Sequence, residues 1–253
     1  FQVDTIDATQ NGTAAAGANI FITATSGNIS LGDSVNAGTA GNVVLNAGGA
    51  IIDTNSNGTS RVKANALTAL AATGVGTGAN QLESTVNNLE SSGGTGGVFV
   101  TNNGALTIGN IGATVGVSAT GGDIIVATTG ALTVAENVTA TGAGTDVTLT
   151  AVDAASAGQN LVVNGGVTVS SVAASVTLNA GDNATITGNI TSGTTTTINV
   201  DAGDAESVGP TNTAGDGGTL SITGTITTPN TAAGGAFLNG GNDYDTFTFN
   251  PQT

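Results

Sequence analysis

Four aspartates recur at the same place in a repeated motif. Asp153, Asp182, Asp204 and Asp243 each stand six residues beyond the first apolar residue of a short run, the runs opening at Val147, Val176, Ile198 and Phe237, and Asp123 stands six beyond Val117. Asp201, Glu206 and Asp216 lie close to them in the chain. Anionic, oxygen-rich turns are what calcium prefers. The candidate metal ligands are therefore Asp153, Asp182, Asp201, Asp204, Glu206 and Asp243, and a C-terminal run adds Asp245. The competing reading makes each Asp the closing residue of a solvated Asx-type turn. If the runs share one register, Asp153, Asp182 and Asp204 climb a single edge. Carboxylates one strand spacing apart would then repel by about 0.9 kcal/mol in bulk water.

Other chemistries are narrowed by what the chain lacks. It has no Cys and no His, which removes disulfides, thiolate and imidazole metal sites, a Cys nucleophile and a Ser-His-Asp triad. Two basic residues stand against 17 acidic ones, a net charge of −15, so there is no basic footprint for nucleic acid or an acidic membrane surface. The two are Arg61 and Lys63, which on a strand would share one face. They can serve as the base of a polysaccharide-cleaving β-elimination, or one can pair with Asp53. A hydrolase would need clustered carboxylates, one with a raised pKa; here they fall on expected turns, and aromatic residues make up only 3% of the chain. A carbohydrate-active enzyme is thus the alternative to a non-catalytic protein. The threonine runs Thr194-Thr195-Thr196-Thr197 and Thr223-Gly224-Thr225-Ile226-Thr227-Thr228 raise ice binding as another, against which repeats of unequal length argue.

The elements that must carry these residues are short strands. Apolar residues alternate with Thr, Ser and Asn at period two. One run recurs, as Ile20-Phe21-Ile22, Val43-Val44-Leu45, Val98-Phe99-Val100, Val147-Thr148-Leu149, Val176-Thr177-Leu178 and Ile198-Asn199-Val200, usually followed by two further short strands. The last full copies start at 147, 176 and 198, giving repeats of 29 and 22 residues. Strands this short cannot survive alone. Three per repeat, wound into stacked coils, bury one row of side chains and pair each coil with the next. The expectation is an all-β parallel β-solenoid of about ten coils, roughly 50 Å long, spanning 1–253 as a single unit. Leu82, Val86 and Leu89 have helical spacing, so 78–94 is expected to be an insertion or a short helix. No apolar run approaches the ~18 residues of a spanning helix. Phe1-Gln2-Val3-Asp4 and Phe247-Thr248-Phe249 read as strands rather than polar caps, so the rod is expected to be an internal segment meeting neighbouring segments or copies end to end.

The run Asn80-Gln81-Leu82-Glu83-Ser84 through Gly97-Val98-Phe99-Val100-Thr101-Asn102-Asn103-Gly104-Ala105-Leu106-Thr107-Ile108-Gly109 resembles repeats of large filamentous-haemagglutinin-like bacterial exoproteins, as do Gly130-Ala131-Leu132-Thr133-Val134 and Val176-Thr177-Leu178-Asn179-Ala180-Gly181. The resemblance implies a right-handed parallel β-helix, export to the cell surface or beyond, and a structural role as stalk, filament or adhesin with host-surface or matrix glycans as partners. Gly240-Gly241-Asn242-Asp243-Tyr244-Asp245-Thr246-Phe247-Thr248 resembles one calcium-binding nonapeptide, with Asp243 where that motif has Gly. It implies half a calcium site, because the family's ion sits between successive nonapeptides.

Overall fold

A computed structural model describes residues 18–55, 58–59, 61–112, 116–154, 157–202, 217–229, 234–241 and 245–249, with the backbone of two further strands, Gln2–Val3 and Ile6–Asp7. The described residues form strands and turns, without a helix, and every strand pairing is parallel. Hydrogen bonds run from each coil to the next, so the fold is a parallel β-solenoid. Among the described residues nine coils carry three strands each and the tenth carries two, Gly235–Asn239 and Thr246–Phe249.

The period-two pattern explains the strands. In Val147–Ala151 and Val176–Ala180 the apolar residues are buried and the residues between them, Thr148 and Thr150 or Thr177 and Asn179, face outward. Inward rows then run up the rod from coil to coil. One is Val100, Val126, Leu149, Leu178, Ile198; another is Ile108, Val134, Val163, Ile186, Ile222. Side chains of this size fill so thin a core without Trp or Met.

The cross-section changes midway. In coils 1–4 the long strand is the third of each coil, as in Asn42–Ala47 and Ala66–Ala71, and the first two strands are short. In coils 5–10 the first strand is the long one. The exchange happens between coils 4 and 5. Gly74–Val75 and Leu82–Thr85, two strands of coil 4, both pair with the single strand Val98–Asn102. On the other side Asn88–Ser92 pairs with both Leu106–Ile108 and Val117–Ala119. The bend therefore crosses from one side of the rod to the other.

Three sequence expectations are corrected. Residues 78–94 are no helix or insertion: Leu82–Thr85 and Asn88–Ser92 are regular strands of coil 4. Leu82, Ser84 and Val86 point inward at period two, a corner follows, and Leu89 opens the next inward row. Alternation interrupted by a corner imitates helical spacing. The recurrent run is also not one column. Its copies at Ile20 and Val43 lie on one face, and those at Val98, Val147 and Val176 on the other. Finally, Val176 pairs with Thr196 and Leu178 with Ile198, so that repeat is 20 residues long rather than 22.

Asparagines stitch the corners. Asn19 Oδ1 accepts from Asn42 N at 2.9 Å, Asn65 Nδ2 donates to Asn42 Oδ1 at 3.3 Å, and Asn87 Nδ2 donates to Asn65 Oδ1 at 3.2 Å. On the long face of the C-terminal half, Asn239 donates to Asn199 at 2.7 Å and Asn199 to Asn179 at 2.6 Å. Stacked carboxamides suit this fold because each offers an acceptor upward and a donor downward, as in other cross-stacked strands.

Candidate functional site

The carboxylates singled out by the sequence are used mainly to fasten one coil to the next. Carrying the pairing of Val147 with Val176 along the chain sets Asp153 level with Asp182, as expected. Beyond Asn199 the pairing shifts at the left-handed Asp201: Asp201 N donates to Asp182 O and Ala202 N to Ala180 O, so Asp201 stands against Asp182, and the rung expected of Asp204 lies outside the described residues. Asp123 belongs elsewhere. It precedes the strand Ile124–Thr128 and stands level with Asp146, on a different edge from Asp153. There the carboxylates cap backbone amides of the following coil: Asp146 N donates to Asp123 Oδ1 at 2.9 Å, and Ser175 N to Asp146 Oδ1 at 2.8 Å.

Asp182 Oδ2 accepts from the backbone amides of Gly158 and, at 2.6 Å, Gln159. Gly181 lies so close over Asp153 that a Cβ there would come within 2.7 Å of its Cα. Asp201 is buried in a left-handed backbone conformation (φ 53°), and its amide donates to Asp182 O at 3.0 Å. Asp245 Oδ1 accepts from Gly218 N at 3.0 Å. Asp204, Glu206 and Asp243 lie outside the described residues, as does Asp216. Among the described residues no three carboxylates gather as a metal group.

The two basic residues do not share a face. Arg61 is buried, with Nε donating to Asp53 Oδ1 at 3.0 Å and an Nη donating to Asn55 O at 3.0 Å. Lys63 ends the strand Val62–Lys63 and is exposed. The face-sharing expectation fails because Arg61 precedes the strand, where the corner turns its side chain inward. The ion-pair alternative is the one the structure takes. Thr196 likewise faces the core, its hydroxyl donating to Ser192 Oγ at 3.1 Å, so the run Thr194 to Thr197 is not one outward array.

Two features were not read from the sequence. The first is a pair of glutamates that hold a loop. Where the third strand of coil 4 feeds two strands of coil 5, the chain swings out after Ile108. Glu90 Oε1, from below, accepts from Ile111 N at 2.9 Å and Gly112 N at 3.0 Å. Glu136, from above, accepts from Asn110 N at 3.0 Å and Gly116 N at 2.8 Å. The backbone at Gly109, Asn110, Gly112 and Gly116 has positive φ, which aims successive amides at the carboxylates. Glu90 is fully buried as a result. The spacing from Glu90 to Glu136 signals nothing without the topology.

The second is a cleft of about 400 Å³ on the corner that follows the second strand of coils 2, 3 and 4 and the first strand of coil 5. The turns there differ in length. Residues 37–41 turn in coil 2 and 103–105 in coil 5, whereas coils 3 and 4 turn in only two residues each, 64–65 and 86–87. Two short turns between longer ones make a saddle, with Thr39 on one wall and Asn103 on the other. Lys63, Thr85 and Asn87 line its floor. A second hollow of about 290 Å³ adjoins it across Asn103 and is lined by Glu83 and Thr101.

Among the described residues no helix is long and apolar enough to cross a membrane. No protein-family model, curated protein or solved structure matches this chain.

Proposed function

We propose that this chain is a non-catalytic structural segment of a large exported bacterial surface protein, a β-solenoid stalk, filament or adhesin whose final coil receives another coil. The observation that supports this reading is the exposure of apolar side chains on the last described coil. Leu220 pairs with Phe247 and Ile222 with Phe249, so the two phenylalanines continue inward rows whose earlier members are buried. Yet Phe247 is 40% and Phe249 53% exposed. A further coil stacked on them would bury both rings, and among the described residues Gly235–Asn239 and Thr246–Phe249 each pair on one side only. Exported, surface placement follows the resemblance to filamentous-haemagglutinin-like repeats, and the acidic, nearly base-free composition suits a soluble, self-spaced rod.

The test is sedimentation of the chain from micromolar to millimolar concentration, alone and with Phe247→Glu and Phe249→Glu introduced together. End-to-end association of the parent chain, lost in the double variant, is the expected result. A parent chain that stays monomeric throughout would overturn the end-to-end reading.

A further inference from the structure

The corner cleft holds the chain's exposed lysine. Of the two cations in a chain of net charge −15, Arg61 is committed to Asp53, and Lys63 is the one left at the surface. Lys63 lies in the cleft, and its ammonium makes no hydrogen bond or ion pair among the described residues. The polar groups around it are amide and hydroxyl, from Asn36, Thr39, Thr85, Asn87 and Asn103, set in a largely apolar surface that Ala64, Val86 and Ala105 help to form. The volume of about 400 Å³ falls in the range of small-ligand sites. The saddle runs over coils 2 to 5, three strand spacings, or roughly 14 Å along the rod.

We propose that this saddle binds a short saccharide bearing one carboxylate, a uronic acid unit in a largely neutral chain. The polar groups of the lining select for that chemistry, and its apolar patches suit the C–H faces of sugar rings. Paired amide and hydroxyl groups offer both donors and acceptors, which is what a row of sugar hydroxyls requires. One ammonium answers one negative charge. A polyanion is disfavoured, because every further negative charge meets the acidic field of the rod without a second cation. The elongated shape matches a linear oligosaccharide better than a compact ion. This site is independent of whether the rod stacks end to end, since it lies on the flank of coils 2 to 5.

The experiment is calorimetric titration and ligand-observed NMR with three probes: an aldotriouronic acid (xylobiose carrying one glucuronate), xylotriose, and free glucuronate. The acidic trisaccharide should bind saturably, with the neutral trisaccharide and the free acid about tenfold weaker or worse, as expected for losing a charge-assisted hydrogen bond or most of the contact surface. Lys63→Gln, an exposed substitution, should weaken the acidic trisaccharide about tenfold and erase its advantage over xylotriose. Adding Thr177→Lys to Lys63→Gln restores the net charge on a distant outward strand position and should not restore binding. Absence of saturable binding, indifference to Lys63→Gln, or rescue by Thr177→Lys would each overturn the proposal. Sedimentation in the same samples reads stacking separately, so failure of one reading leaves the other standing.

Discussion

Asn102 is the residue whose loss should be felt most. It is fully buried at the inner end of Val98–Asn102, where two strands of coil 4 feed one strand of coil 5. Its Oδ1 accepts from Val86 N at 2.9 Å and Ser84 Oγ at 3.0 Å. Its Nδ2 faces Val86 O at 3.2 Å and the carbonyls of Gly104 and Ala105 at 3.3 Å. Higher in the same row stand Thr128, Ala151 and Ala180, so the position accepts a small residue where no junction exists. At the junction Val86 has no strand partner for its amide and carbonyl, and the carboxamide substitutes for one. Asn102→Ala would strand both groups in the interior. At about 1–3 kcal/mol for each unsatisfied buried group, the cost is about 2–6 kcal/mol before any cavity is counted. The middle of that range shifts the unfolding equilibrium by almost three orders of magnitude. Urea unfolding followed by circular dichroism gives the global effect, and hydrogen exchange at the Val86 amide gives the local one. Because a repeat rod can open in parts, the two must be read together. A variant within about 0.5 kcal/mol of the parent, with Val86 still protected, would refute this account of the junction.

Three further outcomes are expected. Arg61→Met should destabilise by about 3–5 kcal/mol in urea unfolding, because Asp53 is left charged and buried, whereas Arg61→Met with Asp53→Leu should recover most of that loss. Glu136→Gln should raise hydrogen exchange at Asn110 and Gly116 while leaving Ile111, held by Glu90, less affected; equal change at all three amides would show that the loop is not clamped from two sides. Thermal unfolding at matched ionic strength with calcium, magnesium or sodium tests the acidic turns, since a bound ion adds stability beyond screening. A melting temperature that ignores the identity of the cation would remove calcium from the candidate carboxylates.

The alternation that defines the strands was plain in the sequence because buried and exposed rows differ in chemistry at every second residue. What alternation cannot convey is where the chain turns. Leu82, Val86 and Leu89 fit a helix as well as a strand, a corner and a strand, and only the pairing of Leu82 with Val100 and of Leu89 with Ile108 decides between them. The saddle around Lys63 was hidden for the same reason. It is made by the lengths of four turns, and a turn has a length only once both flanking strands are fixed.

The register error at Ile198 has a more specific cause. Apolar residues open the other runs, but the position that matches Val176 is held by Thr196, which is buried with its hydroxyl bonded to Ser192. A polar residue satisfied inside the core looks like an outward one, and the count slips by two. The likeness between Val43-Val44-Leu45-Asn46-Ala47 and Val176-Thr177-Leu178-Asn179-Ala180 misleads in another way, since the two lie on opposite sides of the exchange between coils 4 and 5. Both sites demand a five-residue strand with three inward positions, and neither demands a particular face. Face identity is written instead where the bend crosses over. The fully buried Asn102, the paired Glu90 and Glu136, and the buried Arg61 with Asp53 all lie in or near coils 3 to 6, and each supplies hydrogen bonds or charge that regular stacking does not. These bonds therefore gather where this rod changes its cross-section.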